Sequence, residues 1–247
     1  KATEGFARSR GVSVDQLEKL ETENGSWLIF KSLEKGKLVK SLLPDIINTA
    51  LNRLPIPKRM RWSDQNAEFV RPVHWSMVLL GNEIVRCKIM GTTADGLTYG
   101  HRFHSSGPIR INTPKQYLTK LEKQGKVIAD FQKRQQLITD PVNQAADNLK
   151  GNAVVDIDLL DEVTSLVEWP AAVAGSFDKK FLKLPREVLI ASMQEHQRYF
   201  PVTNKKGNKL LNHFITVLNI KSRSPATVRQ GNERVILPRL ADASFFW

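Results

Sequence analysis

The sequence predicts an α+β fold, with mixed, mostly antiparallel sheets and packed helices. Three observations predict it. Stretches with a helical apolar period and stretches with a strand-like one both occur along the chain. They follow no regular strand–helix alternation, so a doubly wound parallel sheet is not expected. Short turn signals, Gly81-Asn82 and Asn204-Lys205-Lys206-Gly207, each join two strand-like runs.

Taken in order, Ala2 to Arg10 reads as a short helix closed by Gly11. Ser13 is placed to cap a second helix, with Gln16 at the capping-box position. Asn24-Gly25 turns the chain, and Trp27 to Lys31 reads as a strand. Val39 to Leu54 is amphipathic, with Val39, Leu42, Leu43, Ile46, Ile47, Ala50 and Leu54 along one side. Pro44 either kinks that helix or starts it, and Pro55 and Pro57 end it. Met77 to Leu80 and Ile84 to Ile89 form the expected hairpin. Gly91 to Gly107 reads as a loop rich in Gly, Thr and Ser, and Ile109 to Ile111 as a short strand. Thr113 and Pro114 open a helix that ends at Gly125. A longer helix spans about Asp130 to Lys150, with a bend or break near Pro141. A strand at Ala153 to Asp156, a helix at Asp158 to Glu168 and a buried strand at Pro170 to Ala174 come next.

Leu184 to Asn219 is the stretch around which the rest is organised. It reads as helix, strand, turn, strand. Pro185 opens the helix, and Val188, Leu189, Met193 and His196 share its apolar face. Tyr199 to Thr203 is extended, with Pro201 suited to a sheet edge, and Leu210 to Asn219 is the second strand. The last helix starts after Ser224-Pro225 and should kink at Pro238.

The chain has 247 residues, 41% hydrophobic and 25% charged, ordinary values for a globular protein. The charge balance is not ordinary: 37 Lys and Arg against 25 Asp and Glu leave a net charge of +12. Such an excess favours a polyanionic partner. Cys87 is the single cysteine, so neither an internal disulfide nor a cysteine metal cluster is expected, which fits a reducing, cytoplasmic setting. No apolar run approaches the roughly 20 residues that span a bilayer. The charged start, KATEGFARSRG, does not read as a signal peptide. The absence of an initial Met and the uncapped apolar end Ala243-Ser244-Phe245-Phe246-Trp247 read as an excised piece.

Sequences that carry self-contained chemistry are missing. GxxxxGK[ST], GxGxxG and GxSxG are all absent. His101 and His104 have a ligand-like spacing, but a zinc site needs three or four ligands, so no metal is expected there. His196 beside Glu195 could form a base with its orienting carboxylate, yet helix neighbours point apart, and a packed histidine is the plainer reading. Cations mixed with aromatics are the stronger signal. Lys58, Arg59 and Arg61 alternate with Met60 and Trp62. Arg71, His74 and Trp75 follow, and Arg102 lies between His101 and Phe103. Cations contact phosphates, and aromatic rings stack on unpaired bases. Core packing is the competing reading for Trp62, Trp75 and Phe103.

The runs PIPKRMRW (55–62), FVRPVHW (69–75), GHRF (100–103), EVTSLVEWP (162–170), LPREVL…MQEHQRYFPV (184–202) and GNERV…RLADASFFW (231–247) resemble the β subunit of bacterial glycyl-tRNA synthetase. The resemblance covers nearly the whole chain in order. It implies an α2β2 enzyme that joins glycine to its tRNA with ATP and Mg²⁺, the catalytic core lying in the separate α subunit. This piece then binds no cofactor and carries no catalytic residue. It is expected to resemble the editing-type domain of the phenylalanyl-tRNA synthetase β chain, and to bind and position tRNA. The implied organisation is an N-terminal helical and strand segment (1–62), an editing-like α+β domain (63–222) and a helix (223–247) leading onward. Family motifs mark Arg59, Arg61, Arg71, His74, His101, Arg102, His196, Arg198, Asn232 and Arg234 without assigning their individual roles; the expected RNA contacts are Lys58 and these residues other than Asn232. Two alternatives stand beside this: a hydrolytic editing module anchored on His196 or His101, and a scaffold that docks the α subunit through Phe245, Phe246 and Trp247.

Overall fold

The computed structural model describes residues 1–247 and is mixed α+β, with seven α-helices and small antiparallel sheets. The chain forms two compact units, Lys1–Leu54 and Pro55–Trp247.

In the first unit, α1 (Ala2–Arg10) ends at Gly11, whose φ of 68° is the left-handed conformation that glycine adopts without a Cβ clash. Ser13 does not start a second helix. Its N–H donates to Gln16 Oε1 at 3.1 Å around a single 3₁₀ turn, Val14–Gln16. The chain then enters β1 (Glu18–Thr22), which pairs with β2 (Gly25–Ile29). All five β1 residues are exposed, so it lacks the alternation by which a strand is recognised. α2 (Val39–Asn52) begins well before Pro44 and carries it internally.

In the second unit, residues 55–125 hold short pairings. β3 (Met60–Arg61) pairs with β4 (Glu68–Phe69), and β5 (Leu79–Leu80) with β6 (Glu83–Ile84) across Gly81, at φ 59°. The expected second strand of that hairpin breaks. β7 (Lys88–Ile89) instead turns back on β8 (Thr92–Thr93) within the supposed loop, with Met90 and Gly91 both at positive φ. The same loop contains β9 (Leu97–Tyr99), which pairs with β10 (Pro108–Arg110). Ala94, Ile109 and Ile111 are the buried centre of this region. The expected helix at 114–125 is a composite: a 3₁₀ turn, α3 (Tyr117–Lys120), and a π turn at Leu121–Gly125.

The rest is built on a four-stranded antiparallel sheet covered by helices on both faces. α4 (Phe131–Asn148) starts where Asp130 accepts the Lys133 N–H at 2.9 Å, and it runs through Pro141 as one helix. β11 (Gly151–Ala153) leads to α5 (Ile157–Leu166), capped likewise by Asp156 on Leu159 N–H at 3.0 Å. After β12 (Ala171–Ser176) come α6 (Arg186–Gln197), β13 (Phe200–Asn204), β14 (Leu210–Leu218) and α7 (Pro225–Phe246), which includes Pro238. The sheet order is β11-β13-β14-β12.

Alternation along β14 divides the core between the two faces. Ile215, opposite Phe200, joins Ile138, Val142, Leu160 and Val163 of α4 and α5. Its neighbour Phe214 joins Leu189, Met193, Ile236 and Leu240 of α6 and α7, and stacks on Tyr199 at 4.5 Å. Burial of such side chains contributes about 1.5–3 kcal/mol each. Pro201 is not at an edge. β13 is an interior strand, and Pro201 occupies its register irregularity, where a missing N–H breaks no ladder bond. No helix is long and apolar enough to cross a membrane.

Candidate nucleic-acid interface

His101 organises the most built part of the molecule. Gly100 and Gly125 cross so closely that a Cβ on Gly100 would lie 2.3 Å from Gly125 Cα. That approach lets the His101 N–H reach the Gly125 carbonyl at 2.6 Å. The imidazole is 2% exposed. Its Nδ1 accepts the Phe103 N–H at 3.2 Å, which leaves Nε2 as the donor to the Asn219 carbonyl at 2.6 Å. Asn219 in turn accepts the N–H groups of Glu168 and Trp169 on Oδ1, at 2.7 and 3.0 Å. One turn on, His104 stacks on His101 at 4.7 Å and accepts the Lys221 N–H on Nε2 at 3.1 Å. Desolvation first, then the neighbouring His101 ring and the Lys126 ammonium, hold His104 below the ordinary histidine pKa of 6.5. Three segments distant in sequence are thereby clipped together: 100–104, 168–169 and 219–221.

Two clefts adjoin this clip. One, of about 540 Å³, is lined by His74, Trp75, Tyr99, Arg102 and Glu168 among others. Trp75 packs on Tyr99 at 4.9 Å, and its indole N–H donates to Thr98 Oγ1 at 3.2 Å. The second, of about 440 Å³, is lined by His104, Lys126, Trp169, Lys221, Ser222 and Arg223. It has three full positive charges and no acid. Lys126 Nζ sits 5.6 Å from the centre of the Trp169 ring.

Of the sequence-predicted residues, the structure brings His74 and Arg102 into one cleft. His101 lies behind it as an internal strut with both ring nitrogens occupied, so it is not a surface contact. Lys58, Arg61 and Arg71 are exposed and Arg59 is partly buried, on and around the β3–β4 hairpin, where Arg61 is opposite Glu68. Arg198 is engaged: its guanidinium bonds Glu162 at 2.8 Å and the Glu195 carbonyl, and its backbone is the left-handed end of α6. Arg234 is exposed on α7. His196 does not share the buried face of Leu189 and Met193. It is exposed in the last turn of α6, which ends one residue later. Of the aromatics, Phe103 is 71% and Trp75 41% exposed, whereas Trp62 is partly buried.

Sequence reasoning missed Lys126, Trp169, Asn219, Lys221 and Arg223. Trp169 stands in the run EVTSLVEWP (162–170), and Lys221 and Arg223 form a basic pair between a strand and a helix. Only the fold places them side by side.

A profile of the family described as glycyl-tRNA synthetase beta subunit matches residues 1–247. The chain is 50% identical over 247 residues to a protein of Hahella chejuensis named glycine--tRNA ligase beta subunit. Proteins of the same name from Marinobacter nauticus and Psychromonas ingrahamii are 46% and 48% identical over 248 and 247 residues. Each alignment takes in 100% of this chain and 36% of the relative, so the chain spans about a third of the length of these proteins. With a match that runs from its first residue to its last, the chain belongs to the glycyl-tRNA synthetase beta subunit family.

Proposed function

We propose that this chain grips tRNA within a glycine–tRNA ligase whose ATP- and Mg²⁺-dependent chemistry takes place on a separate α subunit, in the cytoplasm. The observation that carries the gripping role is a set of cations left without carboxylate partners. Lys58, Arg61, Arg71, Arg102 and Arg234 are exposed and make no ion pair, and neither do Lys126, Lys221 and Arg223. Phosphate contacts use such groups, because each releases condensed counterions when it docks. The likeness to the editing-type domain of the phenylalanyl-tRNA synthetase β chain, and the division at 62 and 222, belong to this same reading. A hydrolytic role draws less support. Of its two proposed anchors, His101 has no free ring nitrogen, and His196 lines none of the clefts described. A docking role for Phe245, Phe246 and Trp247 fits their exposure of 76–85% but has no partner surface to argue from.

The test is tRNA binding by the protein across a salt series. Arg61→Ala with Arg71→Ala should weaken tRNA binding and make the log K against log salt slope shallower by about 2. Unchanged affinity and slope would refute the grip.

A further inference from the structure

The acid-free cleft beside His104 has a composition that the general excess of positive charge does not explain. Trp169 has its backbone N–H fixed by Asn219, and its ring is only partly covered. Lys126 reaches that ring from a backbone at φ 53°, a left-handed conformation that costs a non-glycine residue about 1 kcal/mol. Strain of this kind persists where the surroundings impose it, and it gathers at binding sites. Here it follows the π turn at Leu121–Gly125 and sets the ammonium 5.6 Å from the ring centre, near the outer limit of a cation–π contact. A base can therefore take the ring face, and the ammonium can turn to the phosphate attached to that base. Lys221 is held in the cleft lining by its N–H bond to His104, with Arg223 two residues on. The volume of about 440 Å³ is within the range of small-ligand sites.

We propose that this cleft receives one unpaired nucleotide of an RNA strand, its base stacked on Trp169 and its phosphate held by Lys126, Lys221 and Arg223. The proposal rests on the RNA-gripping reading and deepens it: a cleft with one ring and three cations selects single-stranded over duplex RNA, because a paired base cannot offer its face.

The experiment measures binding of the protein to a single-stranded RNA oligomer and to a duplex of equal length, with adenosine monophosphate as competitor. Trp169→Leu should lower the preference for single strand over duplex by about tenfold, and Trp169→Phe should restore most of it. Lys221→Ala with Arg223→Ala, both exposed side chains, should weaken oligomer binding without the risk of misfolding. If Trp169→Leu leaves the preference intact while Arg61→Ala with Arg71→Ala still weakens RNA binding, the cleft assignment fails and the general grip stands. If none of these variants changes RNA binding, both fail. Adenosine monophosphate displacing the oligomer at concentrations equal to that of the RNA would also overturn the proposal, since the site would then serve a free nucleotide rather than a strand.

Discussion

His101→Ala tests whether the imidazole is a strut or a surface contact. The side chain is 2% exposed, so truncation leaves a cavity on the scale of a deleted aromatic ring, about 3 kcal/mol or more where the site cannot collapse. The Asn219 carbonyl loses its 2.6 Å donor, which costs about 1–3 kcal/mol for a desolvated acceptor. The Phe103 N–H loses its acceptor too, but Phe103 is 71% exposed and water replaces most of that bond. Partial relaxation makes these contributions overlap, so the expected loss is about 3–5 kcal/mol, far outside the range of about 0.5 kcal/mol for surface changes. Urea unfolding followed by tryptophan fluorescence measures it, and His101→Asn, which restores a donor, should recover about 1 kcal/mol. A loss below about 1 kcal/mol for His101→Ala would refute the strut and return His101 to the list of free surface groups.

Gly100→Ala should lower the melting temperature by about 5–10 °C, because its Cβ would lie 2.3 Å from Gly125 Cα and 2.4 Å from Gly125 O. An unchanged melting temperature would show that the two backbones can part freely. His104 is held neutral in the folded state, so its contribution to stability is present above pH 6.5 and is lost as the pH falls toward its lowered folded value. Protonation would turn Nε2 from an acceptor into a donor facing the Lys221 N–H, with His101 and Lys126 adding repulsion. Unfolding measured from pH 7.5 to 5 should therefore show less acid destabilisation in His104→Ala than in the parent; identical profiles would remove His104 as the cause.

The sequence by itself determined the elements that make their own local signals. Gly11 closes α1 at φ 68°, and the Asn204–Gly207 turn joins β13 to β14 through a glycine at φ 72°. The apolar period found the helices that pack on the sheet, since burial on one face leaves a regular trace. The sequence also showed the excess of cations, Arg102 among them, and singled out His74 beside Trp75. Tertiary structure decided what has no local trace. β1 is exposed throughout and pairs only because β2 folds back on it. Pro201 is interior because the irregularity in β13 spares its missing N–H. The bonds from His101 to Asn219 and from Lys221 to His104 join residues 118 and 117 positions apart. No window of neighbouring residues records such a pairing. The antiparallel sheet and its two helical layers bring the strands' ends to one place, and only there do Lys126, Trp169, Lys221 and Arg223 become a site.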